Sequence, residues 1–170
     1  IKVNNYKRRE RLGLRSRSPR WAIAAKFKAK QAESQIIGID LQVGRTGVVT
    51  PVAKIKEVEL SGVMISSATL HNQDEIDRKD IRINDFVLIE RSGDVIPKIT
   101  QVLKNKRPQN TQKFSISDYK WPDPDCKIER IEGEAAYRCI NPNCKSRVMG
   151  ILEHFCSKNA MNIEGMGPQI

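Results

Sequence analysis

Asp123, Cys126, Cys139 and Cys144 stand in "DPDCKIERIEGEAAYRCINPNC" as D-x2-C followed by C-x4-C. Two such knuckles about a dozen residues apart are the framework of a small structural zinc site, in which four ligands close a tetrahedron. The first knuckle offers Asp123 where a thiol is usual. Carboxylate oxygen binds zinc at about 2.0–2.2 Å and thiolate sulfur at about 2.3 Å, so an Asp-Cys-Cys-Cys set is chemically sound. Two other readings stay open: a decayed site of three ordinary thiols, or a site closed by His154 or Cys156. With four ligands filled, such a metal is structural and leaves no position for substrate. Four cysteines, three of them between 126 and 144, suit a metal site in a reducing compartment better than a disulfide framework.

Charge is the second chemical feature. The 170 residues carry a formal +10, and residues 1–30 hold eleven Lys and Arg against the single acid Glu10, so the remainder is balanced. A stretch such as "YKRRERLGLRSRSPR", with Arg17 and Arg20 at its end, suits a polyanion: nucleic acid or a nucleotide's phosphates. A solvated or localisation-like cluster is the competing reading, but the "WAIAAKF" that follows is too apolar and regular for a tail. In "RWAIAAKF", Trp21, Ile23 and Ala25 alternate with Ala22, Ala24 and Lys26, the period of a strand. Lys2 in "IKVNN" is flanked by apolar residues in the same way. Two lysines on strands around an arginine-rich loop converge on an anion more readily than on solvent. Arg45 in "VGRTG" and Arg91 in "ERSGD" stand beside glycine, where a backbone can approach phosphate closely, with loop solvation as the alternative.

These residues need a scaffold to place them. From Ser34 the chain reads as short strands: "QIIGIDLQV", "GVVTPVAKI" with Pro51 marking an edge or bulge, "GVMISSAT", and two more in "DFVLIERSGDVIPKITQVL". "HNQDEIDRKD" is the helical insert between the third and fourth. Five strands with a helix at that position predict an OB-fold barrel rather than its rival, an SH3-like barrel. Lys104 to Asp123 reads as a polar linker with Pro108 and Pro122. After Cys144, Val148, Ile151, Leu152 and Phe155 fall on one helix face. In the "IEGMGP" beyond it, Gly165 and Gly167 resemble the turn of a helix-hairpin-helix element, whose backbone N–H groups meet a DNA phosphate. The expected class is mainly β with small α parts: a five-stranded OB barrel, a small zinc-ribbon-like module and the start of a helical hairpin domain. The chain begins at Ile1 without methionine and is expected to be part of a longer protein. It has no apolar run of eighteen residues and no signal-peptide pattern; an intracellular protein, cytoplasmic or nucleoid-associated, with no membrane partner, is expected.

In this order the strings resemble the bacterial-type NAD-dependent DNA ligases along essentially the whole chain. "ERLGLRSRSPRWAIAAKF" is similar to the end of that family's adenylation domain, giving 1–33. "LQVGRTGVVTPVAKI", "ATLHNQDEIDRKDIRI" and "SGDVIPKI" resemble its OB domain, 34–115. "EGEAAYRCINPNC" resembles its zinc module, 116–146, and "HFCSKNAMNIEGMG" the opening of its helix-hairpin-helix domain, 147–170. The resemblance implies a monomeric enzyme that seals 5′-phosphate/3′-hydroxyl nicks in duplex DNA, with NAD as AMP donor, Mg2+ as a further cofactor and Zn2+ as a structural one. A lysine attacks NAD, AMP moves to the 5′-phosphate, and the 3′-hydroxyl displaces AMP; positioning and charge neutralisation supply most of the catalysis. Lys2 and Lys26 match the lysines that contact the nucleotide's phosphates. The nucleophilic lysine of a Lys-x-Asp-Gly string does not occur in these residues, so they are expected to be inactive alone. Asn4 replaces the family's usual aspartate, Ala25 its aromatic residue, "CKS" its Cys-Pro-Ala, and Asp123 falls on its first zinc cysteine. A non-catalytic OB and zinc DNA-binding module of a replication or repair accessory protein is the alternative function; Lys2 and Lys26 favour the enzyme.

Overall fold

The computed structural model describes residues 1–25, 29–91, 96–121, 124–167 and 169–170. Helix α1 (Tyr6–Leu12) starts where the Asn5 side chain accepts the Arg8 N–H at 3.1 Å, and stops at Gly13, whose φ of +63° suits glycine. Strands β1 (Leu14–Arg15) and β2 (Ser18–Pro19) form a minimal hairpin after it. Arg9 is held between aromatic faces, its guanidinium 4.8 Å from the ring centres of both Tyr6 and Trp21. Among the described residues, the strands expected at "IKVNN" and "RWAIAAKF" reduce to a short antiparallel pairing around the Lys2–Ala22 bridge, with the Val3 N–H donating to Trp21 O and the Ile23 N–H to Ile1 O, each at 2.9 Å. Two short segments with no third strand beside them do not propagate a ladder.

Next come β3 (Gln31–Val43), β4 (Val49–Leu60), β5 (Val63–Thr69), α2 (Gln73–Lys79), β6 (Arg82–Ile83), β7 (Phe86–Glu90) and β8 (Lys98–Val102). Five of these strands close a barrel in the order β3-β4-β5-β8-β7, with α2 between the third and fourth barrel strands. This is the OB arrangement predicted from the strand count. β3 is longer than its apolar run suggests because it serves two neighbours, Gln31–Gln35 pairing with β7 and Ile36–Val43 with β4. A bulge between Ile36 and Gly38 lets it turn the corner. Burial changes phase there: Ser34 and Ile36 face inward, then Ile39 and Leu41, leaving Ile37 outside. Ser61 and Gly62, both at positive φ, make the two-residue turn from β4 to β5. Pro51 lies just beyond the β5 ladder, and its carbonyl takes the Leu70 N–H at 2.9 Å. Ile36, Ala53, Ile55, Leu70, Ile76, Val87, Ile89 and Ile99 fill the interior.

Residues 104–121 are a packed strap rather than a free linker. β9 (Gln112–Lys113) pairs with β6. Ile116 is buried, and its N–H donates to Oε1 of the buried Gln73 at 2.9 Å. Phe114, Tyr119 and Trp121 close over Leu41 and Val49 in a second apolar cluster. The cysteine region forms a hairpin, β10 (Ile128–Arg130) with β11 (Tyr137–Cys139), followed by α3 (Lys145–Cys156).

The strap also closes a buried ionic network. Asp85 is fully buried and accepts Arg107 Nε at 2.8 Å, Arg107 Nη2 at 2.9 Å and the Arg82 N–H at 2.9 Å. Arg107 reaches Asp80 as well, at 2.6 Å. Hydrogen bonds from Arg107, then from Arg82, hold the Asp80 carboxyl down at about 2. Removing one partner of a buried pair strands the other charge, so Arg107→Ala should cost about 3 kcal/mol or more in denaturant unfolding. Arg107→Met with Asp85→Asn should cost less, because no buried charge is orphaned. Asp80 has a folded value below its unfolded value of about 3.9. Its contribution is thus whole above about pH 4 and fades as pH falls toward 2, a loss that acid titration of Asp80→Asn should not show.

Candidate functional site

Cys139 ends β11 and Cys144 is the N-cap of α3, both buried; Cys126 precedes β10 and is half-buried. The Asn141 side chain donates to Asp125 O and the Ile140 N–H to Lys127 O, each at 2.8 Å, so the two knuckles are clasped to each other. The three sulfur atoms all lie within 4.8 Å of one another. Thiolates at about 2.3 Å from a tetrahedral zinc stand roughly 3.8 Å apart, so a small contraction around an ion completes the geometry. Burial, then the neighbouring Cys139 and Cys144 sulfurs, push the Cys126 thiol well up. Burial also opposes ionisation of Cys144, yet the N–H groups of Arg147 and Ser146 and the other two thiols together bring it below the ordinary thiol range. Three cysteine sulfurs this close together are a donor set that a soft, thiolate-binding cation would complete by displacing protons.

Asp123 lies outside the described residues, and no fourth His, Cys, Asp or Glu joins the cluster among the described ones. His154 and Cys156 sit ten and twelve residues along from Cys144 through α3, about 15 and 18 Å at 1.5 Å per residue. Neither can reach. Cys156 instead faces Met166, sulfur to sulfur at 3.9 Å.

The module is seated on the barrel. Arg138 forms an antiparallel bridge with Val48, the Cys139 N–H donates to Gly47 O at 2.8 Å, and the Arg138 guanidinium donates to Thr46 O at 3.3 Å. Ile128 and Tyr137 add to the apolar cluster over Leu41 and Val49, and Arg130 pairs with Asp74 of α2 at 2.9 Å. Arg45 is exposed in the loop between β3 and β4, with no hydrogen bond or ion pair among the described residues. Arg91 is half-buried at the start of the loop between β7 and β8, whose residues 92–95 lie outside the described ones. Lys2, Arg17 and Arg20 are exposed on the N-terminal segment, and no hydrogen bond or ion pair joins them to Arg45 or to the cysteines. Lys26 lies outside the described residues. Gly165, at φ +81°, and Gly167 stand in open turns past α3. Arg138, Arg147 and Gly150 escaped sequence reasoning. A lone glycine inside an apolar-spaced helix was the available sign of close packing.

Residues 33–111 match the family described as the NAD-dependent DNA ligase OB-fold domain. All of this chain is similar to curated proteins named DNA ligase. That from Syntrophobacter fumaroxidans is 46% identical over 170 residues, 100% of this chain and 25% of the relative. Those from Bdellovibrio bacteriovorus, 50% identical over 171 residues, and Bacillus subtilis, 45% identical over 170, show the same coverage of 100% and 25%. The chain thus spans about a quarter of the length of the curated relatives it matches.

The cysteine geometry makes a direct prediction. Protein produced with zinc supplied should carry one zinc per chain by elemental analysis, and Cys139→Ser should weaken retention against a chelator by about 100-fold or more. Because protons compete for thiolate, retention should fall as pH falls.

Proposed function

We propose that this chain belongs with the NAD-dependent DNA ligases and is the DNA-engaging part of an enzyme that seals 5′-phosphate/3′-hydroxyl nicks in duplex DNA. The observation that carries this reading is similarity at 45–50% identity along all 170 residues, centred on a closed OB barrel. AMP from NAD passes to an enzyme lysine, then to the 5′-phosphate, and the 3′-hydroxyl displaces it. This chain's share is charge and position. Lys2 and Lys26 neutralise the nucleotide's phosphates as compact cations on flexible stems. Arg17, Arg20, Arg45, Arg91 and the turns at Gly165 and Gly167 grip the DNA backbone. Mg2+ would be held mainly by carboxylates elsewhere in the longer protein. Without a Lys-x-Asp-Gly string, these residues do not self-adenylate alone.

Arg45 supports the phosphate role by contrast with its neighbours. Lys54, Lys79, Arg82, Lys106 and Arg107 are each engaged by a carboxylate of the barrel itself, whereas Arg45 points its charge to solvent. A structural zinc would complete the cysteine module: Cys126, Cys139 and Cys144 would hold it, with Asp123 of the same sequence motif as the fourth ligand. The metal supplies folding energy there and takes no part in chemistry. The hairpin is too small to bury a core of its own.

Three measurements test this. In full-length protein, Lys26→Ala should cut adenylation or sealing by orders of magnitude with nicked-duplex affinity nearly intact; normal rates of both would refute the nucleotide role. Arg45→Ala should weaken duplex binding alike for all sequences and lower the salt slope by roughly one phosphate contact. Asp123→Cys should keep zinc more firmly against chelators, whereas Asp123→Ala should lose it readily. Full retention in Asp123→Ala would remove Asp123 from the ligand set.

A further inference from the structure

The loop Gly44–Val48 between β3 and β4 is gripped from two sides, and each grip leads to a different cysteine. On one side Cys139 has two roles at once. Its sulfur belongs to the three-cysteine cluster, and its N–H donates to Gly47 O at 2.8 Å. Gly47, at φ +84°, lies so close that an added Cβ would stand 2.8 Å from the Cys139 carbonyl. On the other side Cys144 starts α3, and one and a half turns along that helix Gly150 abuts the Arg45 backbone. A Cβ on Gly150 would stand 3.2 Å from Arg45 N and 3.3 Å from its Cα. Arg147, between them, donates from Nη1 to Cys139 O at 3.2 Å and has its Nε buried against Gly47. The loop's own bonds, Gly44 N–H to Val48 O and Gly47 N–H to Gly44 O, close its base. They do not fix its attitude to the rest of the molecule.

We propose that β11 and α3 form a metal-closed clamp on this loop. An ion shared by Cys139 and Cys144 fixes the angle between strand end and helix start, and that angle sets the position of Arg45. Gly47 and Gly150 are then positioning residues, small because the clamp faces must reach the loop backbone. Besides the contact among the cysteine sulfurs themselves, the Arg147 bond and a weak Cys139 Sγ contact with Asn141 O at 3.8 Å tie the end of β11 to the start of α3. The clamp rests on the zinc reading given above. It extends that reading from stability of the module to placement of a DNA-facing loop.

Amide hydrogen exchange of the intact protein tests it. With zinc bound, the Gly44 and Gly47 amides should be protected; on chelation they should exchange at least about tenfold faster, while Val87 and Ile89 of the barrel core stay unchanged. Gly150→Ala gives an independent arm. Alanine is the better helix former, so α3 amides should be protected as well as before or better, while zinc-loaded loop amides exchange faster because the methyl group crowds Arg45. Opposite responses in helix and loop are not what general destabilisation produces. Loop exchange indifferent both to zinc and to Gly150→Ala would overturn the clamp, as would a protein that takes up no zinc. An intact clamp whose Arg45→Ala variant binds nicked duplex with an unchanged salt slope would refute the phosphate role of Arg45 alone.

Discussion

The backbone bridge between Gly47–Val48 and Arg138–Cys139 is the constraint on which the rest of this architecture depends. It joins a barrel with a large apolar interior to a hairpin that has almost none. Through it the barrel lends the hairpin order, and the hairpin fixes a barrel loop that the core does not touch. The Cys139 N–H to Gly47 O bond, at 2.8 Å, carries no sequence specificity of its own. What makes it specific is the absence of a side chain at Gly47, since any Cβ there would collide with the carbonyl of the residue that donates the bond. Backbone hydrogen bonds must be satisfied wherever they are buried, and here the two modules satisfy each other.

The same logic explains why residues 104–121 are packed and not loose. A connection between two modules that share an apolar cluster cannot wander. Phe114, Ile116, Tyr119 and Trp121 cover the end of the barrel beside Leu41 and Val49, and the hairpin side chains Ile128 and Tyr137 complete the cover. Arg107 and Asp85 pin the start of this strap to the barrel with a buried ion pair at 2.8 Å. Such a pair is costly to desolvate and costly to break, so its contribution is more to a single path for the strap than to net stability.

Much of this was legible in the sequence, and the gaps have physical causes. Barrel strands announce themselves because one face is buried, so alternation in "GIDLQV" and "VVTPVAKI" reports the inside directly, whereas the bulge between Ile36 and Gly38 breaks the pattern just before it. The helix between strands three and four was equally clear, its cap and charge order lying in neighbouring residues: Asn72, Asp74 and Glu75 first, Arg78 and Lys79 last. The cysteine spacing anticipates the clustering of Cys126, Cys139 and Cys144 because the residues of each knuckle lie close in sequence. The strap failed as a prediction because its few apolar residues have no period, and their partners lie far away along the chain. "RWAIAAKF" failed in the other direction. Its alternation is real, but alternation specifies a strand only where a sheet exists to receive it, and among the described residues a short pairing around the Lys2–Ala22 bridge is what forms. Gly150 was invisible as a contact for a related reason: close approach of a helix to a loop leaves a mark only as a missing side chain.

Position, more than number, decides what the charges of this chain can do. The excess of +10 resides in the first thirty residues, whereas in the barrel most cations are already matched to carboxylates. An arginine on a mobile loop still releases counterions when it meets DNA, so the salt dependence of binding counts it whether or not it is ordered. Affinity is different, because ordering a flexible side chain and its loop at the moment of binding subtracts from the gain. A loop already held by the hairpin and α3 has met that cost during folding. On the clamp proposed above, the cysteine module would act on DNA binding without touching DNA: it would leave the count of phosphate contacts unchanged and determine whether one of them is made from a prepared position.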